Sequence, residues 1–188
     1  KLIEKLSLST KMTEKYIIWD EKIVTVSEAG ELFIISPELT IDRKYDIKTK
    51  LSQNMALNGD LLAIHNEAGK IKIIDLKNGK LIFYRNYKKT IYSGPVLYDD
   101  LIIIPFADGE IKALNYKQDT LTWSFSFPEL LSLNLCRIND VIIVPYSSKG
   151  NIFCLKAEDG KKLWHFRAEK SIDLAEITPQ GLVFSHRK

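Results

Sequence analysis

Residues 93–116 read Ser93-Gly94-Pro95-Val96-Leu97-Tyr98-Asp99-Asp100-Leu101-Ile102-Ile103-Ile104-Pro105-Phe106-Ala107-Asp108-Gly109-Glu110-Ile111-Lys112-Ala113-Leu114-Asn115-Tyr116, and Leu121-Thr122-Trp123-Ser124-Phe125-Ser126-Phe127 follows after a short polar break. Four runs rich in β-branched and aromatic residues are separated by turn residues, which predicts four short strands: Gly94–Tyr98, Leu101–Phe106, Glu110–Tyr116 and Leu121–Phe127. The Asp108-Gly109 pair between two apolar runs is a hairpin signal, because glycine accepts the positive φ that such turns demand. Leu101–Ile104 is apolar throughout, as suits a strand covered on both faces, whereas Glu110–Leu114 alternates, as suits partial exposure.

Working outward, the same pattern returns on both sides. A turn glycine recurs at Gly30, Gly69, Gly109 and Gly150, in steps of 39, 40 and 41 residues. The second runs of successive units are Ile23–Val26, Leu61–Ile64, Leu101–Ile104 and Val141–Val144. A period near forty with four strands per unit predicts a β-propeller, because one such unit cannot bury its apolar faces without neighbours. No 3.6-residue apolar pattern supports helical repeats. The expectation is an all-β chain, a single domain over 1–188. It consists of four-stranded antiparallel blades at about 12–50, 51–90, 91–131 and 132–171, with partial blades at 1–11 and 172–188. Lys1-Leu2-Ile3 aligns with Lys80-Leu81-Ile82, so the chain starts within a fourth strand. Gly181–Lys188 aligns with Val141–Ser148, so it stops in a second strand. Either Leu2–Leu8 pairs beside Gly181–Ser185 to close five blades, or the chain is part of a ring of six to eight; the second reading leaves no gap in a sheet and is preferred.

The chain has 188 residues, 45% hydrophobic and 27% charged, with net charge +3. That balance suits a globular protein and lacks the dense basic character of a nucleic-acid binder, so none is expected as a partner. The longest apolar runs are too short to span a bilayer. Lys1–Thr10 lacks the apolar core and cleavage site of a signal peptide. Cys136 and Cys154 fall on the first and third strands of one unit, too far apart for an easy disulfide, and read as small core residues.

The order Gly94-Pro95-Val96, Asp108-Gly109, Ile111-Lys112-Ala113-Leu114, Trp123 resembles the PQQ-like propeller repeat, the quinoprotein dehydrogenase-like and BamB-like family. Gly150-Asn151-Ile152-Phe153-Cys154-Leu155 with Asp159-Gly160-Lys161-Lys162-Leu163-Trp164 repeats it. The resemblance implies that Trp123 and Trp164 wedge between blades, with Phe83 as substitute in the second unit and Lys44 at that position in the first. Trp19-Asp20 matches a WD dipeptide only by chance, being misplaced in its unit and without a preceding Gly-His.

The family's dehydrogenases use calcium, a quinone and a catalytic Asp, often with a vicinal disulfide. This sequence has no Cys-Cys pair, and Asp20, Asp60, Asp99, Asp100, Asp108, Asp140 and Asp159 sit in turns, where carboxylates bond their own backbone. His65, His165 and His186 fall on different strands. No catalytic residue, metal ligand or cofactor is therefore expected. The non-enzymatic branch implies a protein-binding scaffold of the bacterial periplasm or cell envelope, its partner possibly an outer-membrane or secreted protein. The alternatives are a fragment of a quinone-dependent dehydrogenase or a ligand-sensing propeller ectodomain. The candidate docking residues lie between fourth and first strands: Lys48, Lys50, Arg85, Tyr87, Lys88, Lys89, Arg167 and Lys170.

Overall fold

A computed structural model describes residues 5–48, 55–91, 93–131, 133–146, 149–178 and 181–185. Its regular structure is all strand. The first sheet is β1 (Met12–Trp19), β2 (Lys22–Ser27), β3 (Glu31–Ile35) and β4 (Ile41–Asp46). The second is β5 (Met55–Asn58), β6 (Leu61–His65), β7 (Lys70–Asp75) and β8 (Leu81–Asn86). The third is β9 (Val96–Tyr98), β10 (Leu101–Pro105), β11 (Glu110–Asn115) and β12 (Thr120–Ser126). The fourth is β13 (Cys136–Ile138), β14 (Val141–Tyr146), β15 (Asn151–Lys156) and β16 (Lys162–Arg167), and a two-stranded sheet β17 (Leu174–Thr178) and β18 (Gly181–Ser185) follows. Every pairing is antiparallel between strands consecutive in sequence. No helix long and apolar enough to cross a membrane occurs among the described residues.

The core lies between sheets. Leu32 and Ile34 of the first sheet pack against Leu62, Ile64 and Ile74 of the second. Ala63, Ile71, Ile73 and Phe83 of the second meet Ile102, Ile104, Leu114 and Tyr116 of the third. Val96, Ile103, Ala113 and Trp123 of the third meet Ile142, Val144, Phe153 and Leu155 of the fourth. This explains the unbroken apolar second strands: β10 is buried along its length because one face serves the preceding sheet and the other the following one. First strands approach one another across sheets, β1 with β5, β5 with β9 and β13 with β17, so the first strands form the inner side of the stack. Burying one such aliphatic side chain contributes about 1.5–3 kcal/mol, against about 1 kcal/mol for a typical hydrogen bond, so inter-sheet packing dominates.

Each outer strand carries a bulge at the same place. Pairing shifts between Ile34 and Ile35, Ile73 and Ile74, Ala113 and Leu114, and Cys154 and Leu155. Arg43, Phe83, Trp123 and Trp164 stand immediately after the bulges, so the first unit presents Arg43, not Lys44, at the wedge position. The connection from Ile35 to Ile41 is one residue shorter than those from Ile74 to Leu81, Leu114 to Leu121 and Leu155 to Lys162, which moves the position by one. Arg43 donates from Nη1 to the carbonyls of Leu76 (3.1 Å) and Lys77 (2.8 Å) in the next sheet. Trp123 Nε1 donates to Ala157 O at 2.9 Å, the corresponding carbonyl two interfaces further on. Trp164 departs from the wedge expectation: it is 43% exposed. Trp19, the first-unit WD match, is buried and donates to Asp60 Oδ1 at 3.2 Å in the next sheet.

At the chain's start, residues 5–8 are not strand; the rest of the expected Leu2–Leu8 strand lies outside the described residues. β18 pairs with β17 alone among the described residues. Cys136 and Cys154 sit on β13 and β15 as free thiols, and burial pushes the Cys154 thiol up from its ordinary pKa, with the Asp140 charge adding to it.

Candidate partner-docking face

In an antiparallel sheet of consecutive hairpins, the second-to-third turn and the loop leaving the fourth strand emerge at the same end. The structure seats one on the other. Gly109 has φ +91°, and a Cβ built there would lie 2.2 Å from Phe127 O and 2.3 Å from Glu129 O. Gly69 stands likewise beneath Lys89 and Gly150 beneath Lys170. Backbone bonds fasten each loop: Ile91 N–H donates to Glu67 O, Ala107 N–H to Thr90 O and Leu131 N–H to Ala107 O. The linking loops therefore form a fixed rim. The recurring turn glycines, Gly30, Gly69, Gly109 and Gly150, all have positive φ.

The candidate cations divide into two groups on this frame. Lys89 Nζ lies 2.7 Å from Asp108 Oδ2 and 2.5 Å from Glu110 Oε2 in the next sheet, over the ring of Phe106. Burial resists the charge on Lys89, but these two carboxylates outweigh it and hold its pKa up. Arg85 Nη2 pairs at 2.6 Å with Asp119 Oδ2, in the turn joining β11 to β12 at the opposite end of the sheets. Tyr87, half-buried against Phe106, has its hydroxyl pKa raised by burial although Arg85 beside it pulls the other way. These three side chains join the second and third sheets. Lys48, Lys88, Arg167 and Lys170 are exposed and make no ion pair among the described residues. Lys50 lies outside the described residues, as does His186.

Leu130 was not singled out by the sequence. It is 69% exposed and, with Lys89, Thr90, Ala107 and Asp108, lines an open cleft of about 360 Å³ between two linking loops. The repeat itself separates it from its neighbour: Leu131 corresponds to Ile91, and both are buried with the same loop bond, whereas Leu130 corresponds to Thr90. A leucine where the fold needs only a polar residue was the available signal.

Beneath the same loop, buried Glu129 accepts from Asn151 Nδ2 at 2.6 Å, leaving Asn151 Oδ1 to accept from His165 Nε2 at 2.8 Å. His165 stacks flat on Phe153 at 4.3 Å. Tyr146 donates to Gly109 O at 2.8 Å, and burial drives its hydroxyl pKa far up, with Glu129 adding to it. His65 is buried in the second sheet, far in sequence from this group. The turn carboxylates are engaged locally, as in Asp159 accepting from Lys161 N–H and Asp100 pairing with Lys117. Among the described residues no three His, Cys, Asp or Glu side chains converge to hold a metal.

Stacked four-stranded sheets with their first strands innermost define a β-propeller. The family model described as "Outer membrane protein assembly factor BamB" matches residues 17–166, and the chain belongs to that family. No curated protein matches the sequence. Among solved structures, the chain is similar to BamB from Moraxella catarrhalis, with 12% identity, 92% of this chain and 56% of that one covered, and a TM-score of 0.69. It is also similar to the Cps50 (Swd1) β-propeller domain of Myceliophteria thermophila, at 14% identity, with coverages of 97% and 64% and a TM-score of 0.75. A third is the computationally designed Ika8 protein, at 12% identity, with coverages of 90% and 54% and a TM-score of 0.70. The chain spans between half and two thirds of the length of these propellers, and at such identities the likeness is one of fold.

Proposed function

We propose that this propeller is a non-catalytic scaffold that docks a protein partner on its linking-loop rim, and that it works in the bacterial cell envelope. The observation that carries the reading is Leu130: an exposed leucine beside a cleft, on a rim whose exposed charges include Lys48, Lys88, Arg167 and Lys170. An apolar anchor supplies affinity when a partner desolvates it, and surrounding cations steer and select an acidic counterpart. Arg85, Tyr87 and Lys89 support the rim from below by joining two sheets. The family's description as an outer-membrane assembly factor supports an outer-membrane or secreted protein as that partner.

The test places a photo-crosslinking residue at Thr90 and identifies what it captures in envelope fractions. Leu130→Asp combined with Lys88→Glu and Lys170→Glu is expected to abolish the crosslinked product while leaving the thermal midpoint unchanged. Capture that persists in this variant, at wild-type yield, removes the rim as the docking face.

A further inference from the structure

The strand register shows which residues of successive sheets occupy the same place. Lys70 of β7 pairs with Asn86 and Glu110 of β11 pairs with Ser126, so Lys70 corresponds to Glu110, Lys72 to Lys112 and Ala68 to Asp108. Between the second and third sheets the charges balance: Lys89 meets Asp108 and Glu110, and Lys112 lies 3.2 Å from Glu110. Between the first and second sheets both carboxylates are replaced, by Ala68 and Lys70. Lys48, Lys70 and Lys72 make no ion pair among the described residues. Residues 49–54, next in the sequence, contain neither Asp nor Glu.

A cleft of about 200 Å³ opens here between the end of β4 and the strands β7 and β8. Its apolar walls are Tyr45, Ile74 and Leu81, and Lys48, Lys72 and Asp46 supply its charge. The walls are held in place. The Tyr45 hydroxyl donates to Leu76 O at 3.3 Å, and its ring lies so close to Gly79 that a Cβ there would overlap it. Lys72 donates from Nζ to Ile47 O and lies 5.8 Å from the ring centre of Tyr84, which leaves two of its N–H donors for another acceptor. Asp46 Oδ1 accepts from Lys48 N–H and so fixes the bend at which Lys48 has φ +48°. Burial lowers the Lys72 pKa, and the Lys70 and Lys48 charges lower it further against a pull from Asp46. With Asp46 counted, two positive charges of this group stay uncompensated. The volume is below the roughly 300 Å³ at which pockets for drug-sized ligands begin, so the ligand that fits is small.

We propose that this cleft binds a phosphate monoester with a small apolar body. Lys72 and Lys48 donate to the phosphate, Lys70 adds its charge from the mouth of the cleft, and the body lies along Tyr45, Ile74 and Leu81. Lysine binds phosphate as a point charge, and a dianion takes up both uncompensated charges where a monocarboxylate leaves one. The site is separate from Leu130, which lies between later linking loops.

The probe is phenyl phosphate, titrated into the chain by calorimetry at constant ionic strength and about pH 7.5, where a phosphate monoester is a dianion. Inorganic phosphate and benzoate serve as controls for its charge and its body. Saturable binding of phenyl phosphate, at least about tenfold tighter than either control, is expected. Ala68→Asp with Lys70→Glu copies the neighbouring interface's carboxylates into the site and is expected to abolish binding without lowering the denaturant midpoint. Lys72→Met is expected to weaken binding by about tenfold or more. Leu130→Asp with Lys88→Glu and Lys170→Glu binds phenyl phosphate as the wild type does, which separates this site from the docking rim. Sedimentation with vesicles containing phosphatidic acid tells the source of the ester: pelleting of the wild type but not of the Ala68→Asp, Lys70→Glu variant places it on a lipid, and binding of the soluble ester alone places it on a small molecule. Phenyl phosphate bound no better than inorganic phosphate, or bound equally by the Ala68→Asp, Lys70→Glu variant, overturns the proposal.

Discussion

A single glycine shows how tightly the repeat is constrained. Gly109 is buried under a linking loop with two carbonyl oxygens where its side chain would be, and its φ lies in the left-handed region. Gly59 has φ +57° with nothing within 4 Å of the corresponding point. Gly59→Ala should therefore cost about 1 kcal/mol, the left-handed penalty alone. Gly109→Ala should cost more than about 2 kcal/mol, because the loop must also move. Urea unfolding of the two variants measures both, and equal costs would contradict the close approach. The Asp-Gly signature disclosed the turn but not the loop above it, since that loop comes some twenty residues later. The same limit hid Arg43: its distance from Gly30 is one residue shorter than that of Phe83 from Gly69 or Trp123 from Gly109, and the pairing across the bulge, a property of the folded backbone, shows the match.

At the scale of sheets, the polar contact under each linking loop differs from one interface to the next. Between the second and third sheets it is Lys89 against Asp108 and Glu110. Between the third and fourth it is Glu129 against Asn151, with Lys149 at the place of Asp108. Burial resists ionisation of Glu110, yet the Lys89 and Lys112 ammonium groups hold its pKa below the usual carboxylate range. Lys89→Glu should thus destabilise by about 1–2 kcal/mol, exchanging a part-buried attraction for a repulsion. Adding Asp108→Lys and Glu110→Asn installs the neighbouring interface's set and should recover most of the loss in denaturant midpoint. No recovery would mean that the loop backbone, and not the charge pattern, sets the contact. The sequence showed these cations as a basic rim because a lysine in a loop looks solvated until its partner, twenty residues on, is folded beside it. Strand order and position were plain from turns and apolar runs; the four strands expected over 94–127 agree with β9 to β12 to within two residues at each end.

For the whole molecule, His65 links stability to pH. It is fully buried, and desolvation lowers its pKa to about 4, against which only a backbone bond at Asn66 acts. Folded chains then bind fewer protons than unfolded ones between that value and the ordinary histidine pKa of about 6.5. Its contribution is complete above about pH 6.5 and is lost as the pH falls towards 4, amounting to about 3 kcal/mol. His65→Val, the residue at the matching position of β2, should flatten the denaturant midpoint between pH 7 and 4.5 relative to the wild type; parallel pH curves would exclude His65 as the linked group.

Each sheet is completed by consecutive residues, and no described strand crosses into another sheet. A forty-residue cassette can accordingly be copied or excised in a gene without threading or re-pairing any other part. Ancestral lengthening of such a chain is limited instead by whether the loop of one cassette carries the charge that the next cassette's hairpin will accept.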